Sequence, residues 1–289
     1  MDKQMKILVT GANGQVGQHV CMHLAKNALC YKATDLPETD LTKVEQVEAL
    51  FAKEQPDAVI HCAAYTAVDR AENEPEQCFF VNHTGTANVV SSCVKYDASL
   101  LYLSTDYVFD GSGEKPWETM DQTNPLNVYG KSKLAGENEI LAYLQKFFIV
   151  RTSWVFGLAG NNFFKTIIRL GKEKDCLSVI NDQIGSPTYA DDLADLLVQM
   201  IQTKEYGLYH ATNEGDCSWY EFSKQIIKIS ESSCKVIPVT SDEYKTDARR
   251  PKNSRLSKQS LDVHGFKRLP TWSNALVRCV CALANTQDQ

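Results

Sequence analysis

The apolar positions of this chain gather into short unbroken runs separated by longer mixed stretches. MKILVT, AVIHC, LLYL and FIVR are four to six residues long and dominated by aliphatic side chains. Runs of that length without polar alternation read as strands buried on both faces, the habit of a parallel sheet. The stretches between them read as helices over 15–27, 43–53 and 75–96, with a further strand over 29–34. Strand and helix alternating in this way predict an α/β fold, a doubly wound parallel sheet (Rossmann-like), which binds ligands at the carboxyl ends of its strands. Residues 1–154 form the expected dinucleotide-binding domain. Residues 155–289 form a smaller, discontinuous C-terminal substrate lobe, because the strand-like GLYHAT at 207–212 returns to the large sheet. A last helix over 273–284 supplies packing or a dimer face, and the polar tail NTQDQ is expected to fray.

Glycines punctuate the first strand-to-helix junction. Gly11, Gly14 and Gly17 are spaced G-x-x-G-x-x-G around Asn13, Gln15 and Val16. The first permits a tight turn, the second lets a diphosphate approach bare amides at a helix N-terminus, and the third lets helix and strand lie close. An ordinary glycine turn is the plainer reading; the strand before and the helix after favour a dinucleotide. Asp35 ends the second strand, where an acid bonds a ribose 2′-hydroxyl and favours NADH over NADPH. A simple loop aspartate is the alternative. Asp40 and Leu41 flank the adenine end. Ala63, Ala64 and Tyr65 follow the third strand, and small residues there let a cofactor pass. Asn82, on the helix over 75–96, bonds backbone near the active strand or is simply structural.

The strongest chemical signal lies between 100 and 133. A strand over 100–103 delivers Ser104, Thr105 and Asp106, and a helix then carries Tyr129 and Lys133. Four residues apart, those two side chains share one helical face. An ammonium beside a phenol is expected to lower its pKa and make it a proton donor to a carbonyl oxygen. With 12 tyrosines the spacing recurs by accident, and Tyr220 with Lys224 is such a copy, since no strand ending in hydroxyl residues precedes it.

Composition narrows the class. The net charge of −6 argues against a nucleic-acid partner, and no apolar run is long enough to cross a bilayer. No secretory segment precedes the first strand, so a cytoplasmic location is expected. The 10 cysteines lack a paired metal spacing and read as reduced structural thiols.

TGANGQVG, HCAAYTAVD, STDYVFDG, PLNVYGKSK and RTSWVFG, in this order, resemble the extended short-chain dehydrogenase/reductases. Within them the nearest likeness is the dTDP-4-dehydrorhamnose reductase family, and it continues through GNNFFKTIIRLGKE, VINDQIGSPT, GLYHATNEGDCSWYEF and ARRPKNSRL. The resemblance implies NADPH or NADH as cofactor and a dTDP-linked 4-keto-6-deoxy sugar as partner. It implies that Thr105 and Tyr129 bond the C4 ketone, that Tyr129 gives the proton, and that Lys133 holds the nicotinamide ribose. Trp154 would lie against the sugar, with Asp106, Tyr107, Asn162, Lys165 and Arg250 as further substrate residues. Core packing is the alternative for Trp154. For Arg250, part of a basic cluster with Arg249, Lys252 and Arg255, it is a solvated loop. Some members hold magnesium through carboxylates at a dimer interface. Here the matching position on the first helix is His19, so no metal is expected, and monomer or homodimer stays open. Two other readings share the frame: a non-enzymatic module resembling the regulatory β subunit of methionine adenosyltransferase, and an epimerase or a reductase of another nucleotide 4-keto sugar.

Overall fold

The apolar runs become the strands of one sheet. The computed structural model describes residues 4–287. β1 (Lys6–Thr10), β2 (Cys30–Thr34), β3 (Ala58–His61), β4 (Ser99–Thr105) and β5 (Phe147–Thr152) pair in parallel with a sixth strand, Gly207–His210. The spatial order is Gly207–His210, β5, β4, β3, β1, β2. The chain therefore leaves β1 in one direction toward β2 and returns in the other toward β3, β4 and β5. Its switch point lies between β1 and β3, where a doubly wound sheet opens a crevice.

Helices cover both faces. α1 (Gln15–Lys26) follows β1, α2 (Val44–Glu54) follows β2, and α3 (Val68–Asn73), α4 (Pro75–Phe79) and α5 (Gly85–Tyr96) lie between β3 and β4. α6 (Val128–Tyr143) crosses to β5. One face of the sheet buries Val9, Ile60, Leu101 and Val150 against Val20 and Leu24 of α1 and Leu197 of α8 (Ala190–Ile201). The other buries Leu8, Val59, Leu100 and Ile149 against Phe51, Val89 and Ile140. The alternation of β4 residues between the two clusters is the period-two geometry of a strand covered on both sides.

The single helix expected over 75–96 is interrupted. A π turn, Phe80–Thr84, joins α4 to α5 and carries the buried Asn82. β4 is longer than the expected strand, so Ser104 and Thr105 are still held in its ladder, opposite Arg151 and Thr152. The last helix is also longer, Trp272–Gln287, so the tail expected to fray is helical as far as Gln287; residues 288 and 289 lie outside the described residues.

After β5 the chain builds a second cluster from Phe156, Phe164, Phe222, Ile226 and Leu276. Its elements include α7 (Phe163–Glu173), α9 (Trp219–Ile229) and the parallel pair Cys176–Ile180 with Lys235–Val239. α8 returns beneath α1, and beside their apolar contact lies a polar cluster. His23 Nε2 lies 2.9 Å and His19 Nδ1 3.3 Å from the same oxygen of Asp191.

The hydrogen bond to Asp191 holds the His23 imidazolium above its ordinary value, and the two histidines hold the Asp191 carboxyl well below the usual range. The histidine contribution is full below the unfolded imidazole value of about 6.5 and is lost as pH rises through the raised folded value. The aspartate contribution is present above its unfolded value of about 3.9 and is lost as pH falls through the depressed one. Between about pH 6 and 8 the urea midpoint of the native chain is thus expected to fall relative to that of His23→Gln. Equal slopes in both would remove this cluster from the pH dependence.

Candidate active site

The carboxyl ends of β1, β3, β4 and β5 open into a cavity of about 860 Å³ that also reaches α7 and the segment 177–183. Its floor at β1 depends on missing side chains. Gly11 has φ +68°, and a Cβ there would stand 2.4 Å from the Ala63 nitrogen. A Cβ on Gly17 would stand 2.1 Å from the Gly11 oxygen. β1, α1 and the start of the 63–65 segment therefore meet at backbone distance. Gly14 caps α1 without a side-chain bond, which leaves the first-turn amides directed at an incoming anion. The residues present fit a dinucleotide.

At the far end of this floor the Asp35 carboxylate is fixed by two backbone amides. Its Oδ2 accepts from Asn13 and its Oδ1 from Leu36, both at 2.8 Å. Asp40 accepts from the Thr42 amide and hydroxyl, which hold its carboxyl below the ordinary range. Among the described residues the basic side chains lining the cavity are Lys133 and Arg250, and neither belongs to the segment 34–42 that carries both acids.

β4 ends at Thr105, whose hydroxyl donates to Asp106 at 3.1 Å and accepts from the Tyr107 amide at 3.2 Å. Asn127 caps α6, accepting from the Gly130 amide at 2.8 Å, and so fixes the turn that carries Tyr129. Tyr107 meets the Tyr129 ring edge-on at 5.9 Å. Thr105, Asp106, Tyr107, Tyr129 and Lys133 all line the cavity. Tyr220 and Lys224 share a face of α9 outside it.

The expected lowering of the Tyr129 pKa is not what this environment produces. Burial, with the Asp106 charge, pushes the Tyr129 phenol above its ordinary value, and the Thr105 hydroxyl beside it only partly offsets this. Burial also pulls the Lys133 ammonium down to about 7. Sequence spacing sets proximity, but desolvation is the leading influence on both groups. Asp106 is raised to about 7 for the same reason, and its Oδ2 is buried without a hydrogen-bond partner. The Ser254 and Thr105 hydroxyls beside this carboxyl only partly offset its burial.

Trp154, at φ +50°, stacks on Trp219 at 3.6 Å and 14°. Both indoles line the cavity and both pack on the lobe's apolar cluster, so floor and core are one role here. Arg250 is gripped as a fork by Asp69, at 2.6 and 3.0 Å. Its neighbours in sequence go elsewhere: Lys252 pairs with Asp182 and Arg255 with Asp216. Asn162 caps α7 and donates to the Gln15 side chain at 2.7 Å, tying α7 to α1.

Three expected residues do not line the cavity. Lys165 turns its ammonium to the Leu158 and Gly160 carbonyls. The Tyr65 hydroxyl donates to Glu74 while Asn82 pairs with the Tyr65 backbone in both directions. Asn13 contributes its amide to Asp35. Conversely Asp69, Trp219, Gln183 and Tyr244 line the cavity with no local signal in the sequence.

The model of the RmlD substrate binding domain family matches residues 5–285. A dTDP-4-dehydrorhamnose reductase of Aggregatibacter actinomycetemcomitans is 39% identical, over 94% of this chain and 97% of its own length. One of Escherichia coli K12 is 38% identical, over 98% of this chain and 99% of its own. The crystal structure of the Bacillus anthracis dTDP-4-dehydrorhamnose reductase in complex with NADP superposes with a TM-score of 0.94 at 40% identity, covering 97% of this chain and all of that one.

Proposed function

Because the chain belongs to the RmlD substrate binding domain family, that of the dTDP-4-dehydrorhamnose reductases, we propose that it reduces the C4 ketone of dTDP-4-dehydro-L-rhamnose to dTDP-L-rhamnose. It is an NAD(P)H-dependent oxidoreductase of dTDP-rhamnose biosynthesis. The observation that carries the residue assignment is the convergence of Thr105, Tyr129 and Lys133 on the cavity that the glycine turn floors.

Gly11, Gly14, Gln15 and Asp35 would hold the reduced dinucleotide, which would supply the hydride for the carbonyl carbon. Tyr129 gives its phenolic proton to the carbonyl oxygen as negative charge develops there. Thr105 donates a second hydrogen bond to the same oxygen, giving up its present bond to Asp106. Lys133 binds the nicotinamide ribose and offsets the charge left on the phenolate. A phenol raised by burial is a good proton keeper before the reaction. It releases the proton only to an oxygen that has become more basic, which ties the transfer to hydride arrival. The Asp106 carboxyl takes a sugar hydroxyl, Trp154 on Trp219 floors the sugar, and Arg250 meets the diphosphate. Residues after 154, apart from α8 and the strand Gly207–His210, which pack with the large sheet, make the substrate lobe that closes over the sugar nucleotide.

The direct test follows reduced-nicotinamide absorbance with the keto sugar made in situ from dTDP-glucose by the upstream dehydratase and epimerase. Oxidation that requires the epimerase supports the L-configured substrate. Oxidation without it points to a D-sugar reductase. No oxidation with either cofactor, in protein that binds them, would overturn the reading. The same assay addresses Asp35. Asp35→Ala is expected to raise the NADPH-to-NADH ratio of kcat/KM about tenfold, since a carboxylate facing a 2′-phosphate repels it. An unchanged ratio would place the adenosine ribose away from Asp35.

A further inference from the structure

The Lys133 ammonium does not stand free beside Tyr129. Its Nζ lies 3.8 Å from the centroid of the Tyr102 ring, and the lysine is 2% exposed. Tyr102 is on β4, fully buried, and its hydroxyl donates to the Lys133 carbonyl at 3.4 Å. The helix makes room for this ring. A Cβ on Gly136 would stand 2.5 Å from the Tyr102 hydroxyl, so the α6 turn above β4 has a gap shaped for it. We propose that Tyr102 is a positioning residue for the reaction, whose ring face holds the Lys133 ammonium charged and aimed at the cofactor end of the cavity.

A cation over an aromatic face is attracted by the ring quadrupole, most strongly where water is excluded. Lys133 needs that support because burial works against its charge. The groups that face it are Glu137 on α6, which favours the charge, and Cys62 just past β3 and Cys78 on α4, which are thiols. Tyr129 lies one turn back on the same helix face. His61 on β3 lies tilted against Tyr102 at 5.5 Å and is neutral, since burial pulls its imidazole down to about 3. Its hydrogen bonds fix the tautomer. Thr86 donates to the Asn82 carbonyl and so accepts from His61 Nε2, which leaves Nδ1 to accept from Thr10. The one full counter-charge, Glu137, is itself engaged by Arg151 at 2.6 Å. Among the described residues the ring is thus the partner of Lys133 that no other cation shares.

The inference rests on the reading of Lys133 as a charged group of the reaction, and the test separates the two. The pH dependence of kcat/KM is measured for Lys133→Met, for Tyr102→Phe, and for the mono-, di- and trifluorinated phenylalanines placed at 102. These rings keep their size while their negative face is progressively withdrawn, so packing and folding are held constant. Tyr102→Phe, which keeps the ring face, is the starting point of the series. The high-pH limb is then expected to move down stepwise with each fluorine, by about one pH unit over the series. A limb that stays in place across the series, with Lys133→Met inactive, overturns the proposal alone. Native turnover in Lys133→Met overturns the reading of Lys133 and the proposal with it.

Discussion

Tyr129→Phe is expected to lose roughly 10²–10⁴-fold in kcat, the usual contribution of a positioned acid, while its affinity for the reduced cofactor is nearly unchanged. The hydroxyl is the only atom removed. The ring stays packed edge-on against Tyr107, and the Asn127 cap that fixes this turn is untouched. The loss should appear in single-turnover oxidation of NADPH, not only in the steady state, because it falls on the chemical step. Cofactor binding, followed by nicotinamide fluorescence, serves as the control for folding. Turnover within about threefold of the native chain would be too small a change for a general acid and would remove Tyr129 from that role.

Glu137→Ala is expected to cost roughly 3–5 kcal/mol of stability, the effect of stranding one partner of a buried ion pair. The side chains of Glu137 and Arg151 are 0% and 4% exposed. The carboxylate receives the Arg151 fork at 2.6 and 3.0 Å and the Ser104 hydroxyl as well. Arg151 also donates to the Thr119 carbonyl and lies 5.0 Å over the Phe109 ring. One buried carboxylate thereby joins β4 beside Thr105, α6 beside Lys133, and β5 three residues before Trp154. Removing it leaves a guanidinium in the interior without its counter-ion. Guanidinium-chloride unfolding should show a lower midpoint with an unchanged slope. The double change Glu137→Leu with Arg151→Met should recover most of the loss, since a buried pair replaced by apolar groups is often neutral. A native midpoint in Glu137→Ala would show that the pair does not hold these elements together.

These two expectations sit at opposite ends of what the residue order makes visible. Tyr129 and Lys133 announce themselves by spacing, and a helix places them on one face whatever surrounds it. The glycine turn is legible for the same reason, because G-x-x-G-x-x-G after an apolar run constrains only the next dozen residues. Arg151 and Glu137 give no such sign. One reads as a charge just inside a strand and the other as a charge on a helix, and only the pairing of β4 with β5 under α6 brings them together.

The sequence by itself determined the alternation of strands and helices, the cofactor turn, Asp35 at the end of β2, and the helix that carries Tyr129 and Lys133. Each depends on periodicity or on backbone freedom within a few neighbours, and these are local properties. The tertiary structure alone decided the grip of Asp69 on Arg250, the indole of Trp219 beneath Trp154, the π turn that turns Asn82 toward Tyr65, and the ring of Tyr102 beneath Lys133. It also decided the sign of the Tyr129 shift. Proximity is written in residue spacing, but the loss of water around a charge belongs to the assembled interior, and there desolvation outweighed the hydrogen bond from Thr105.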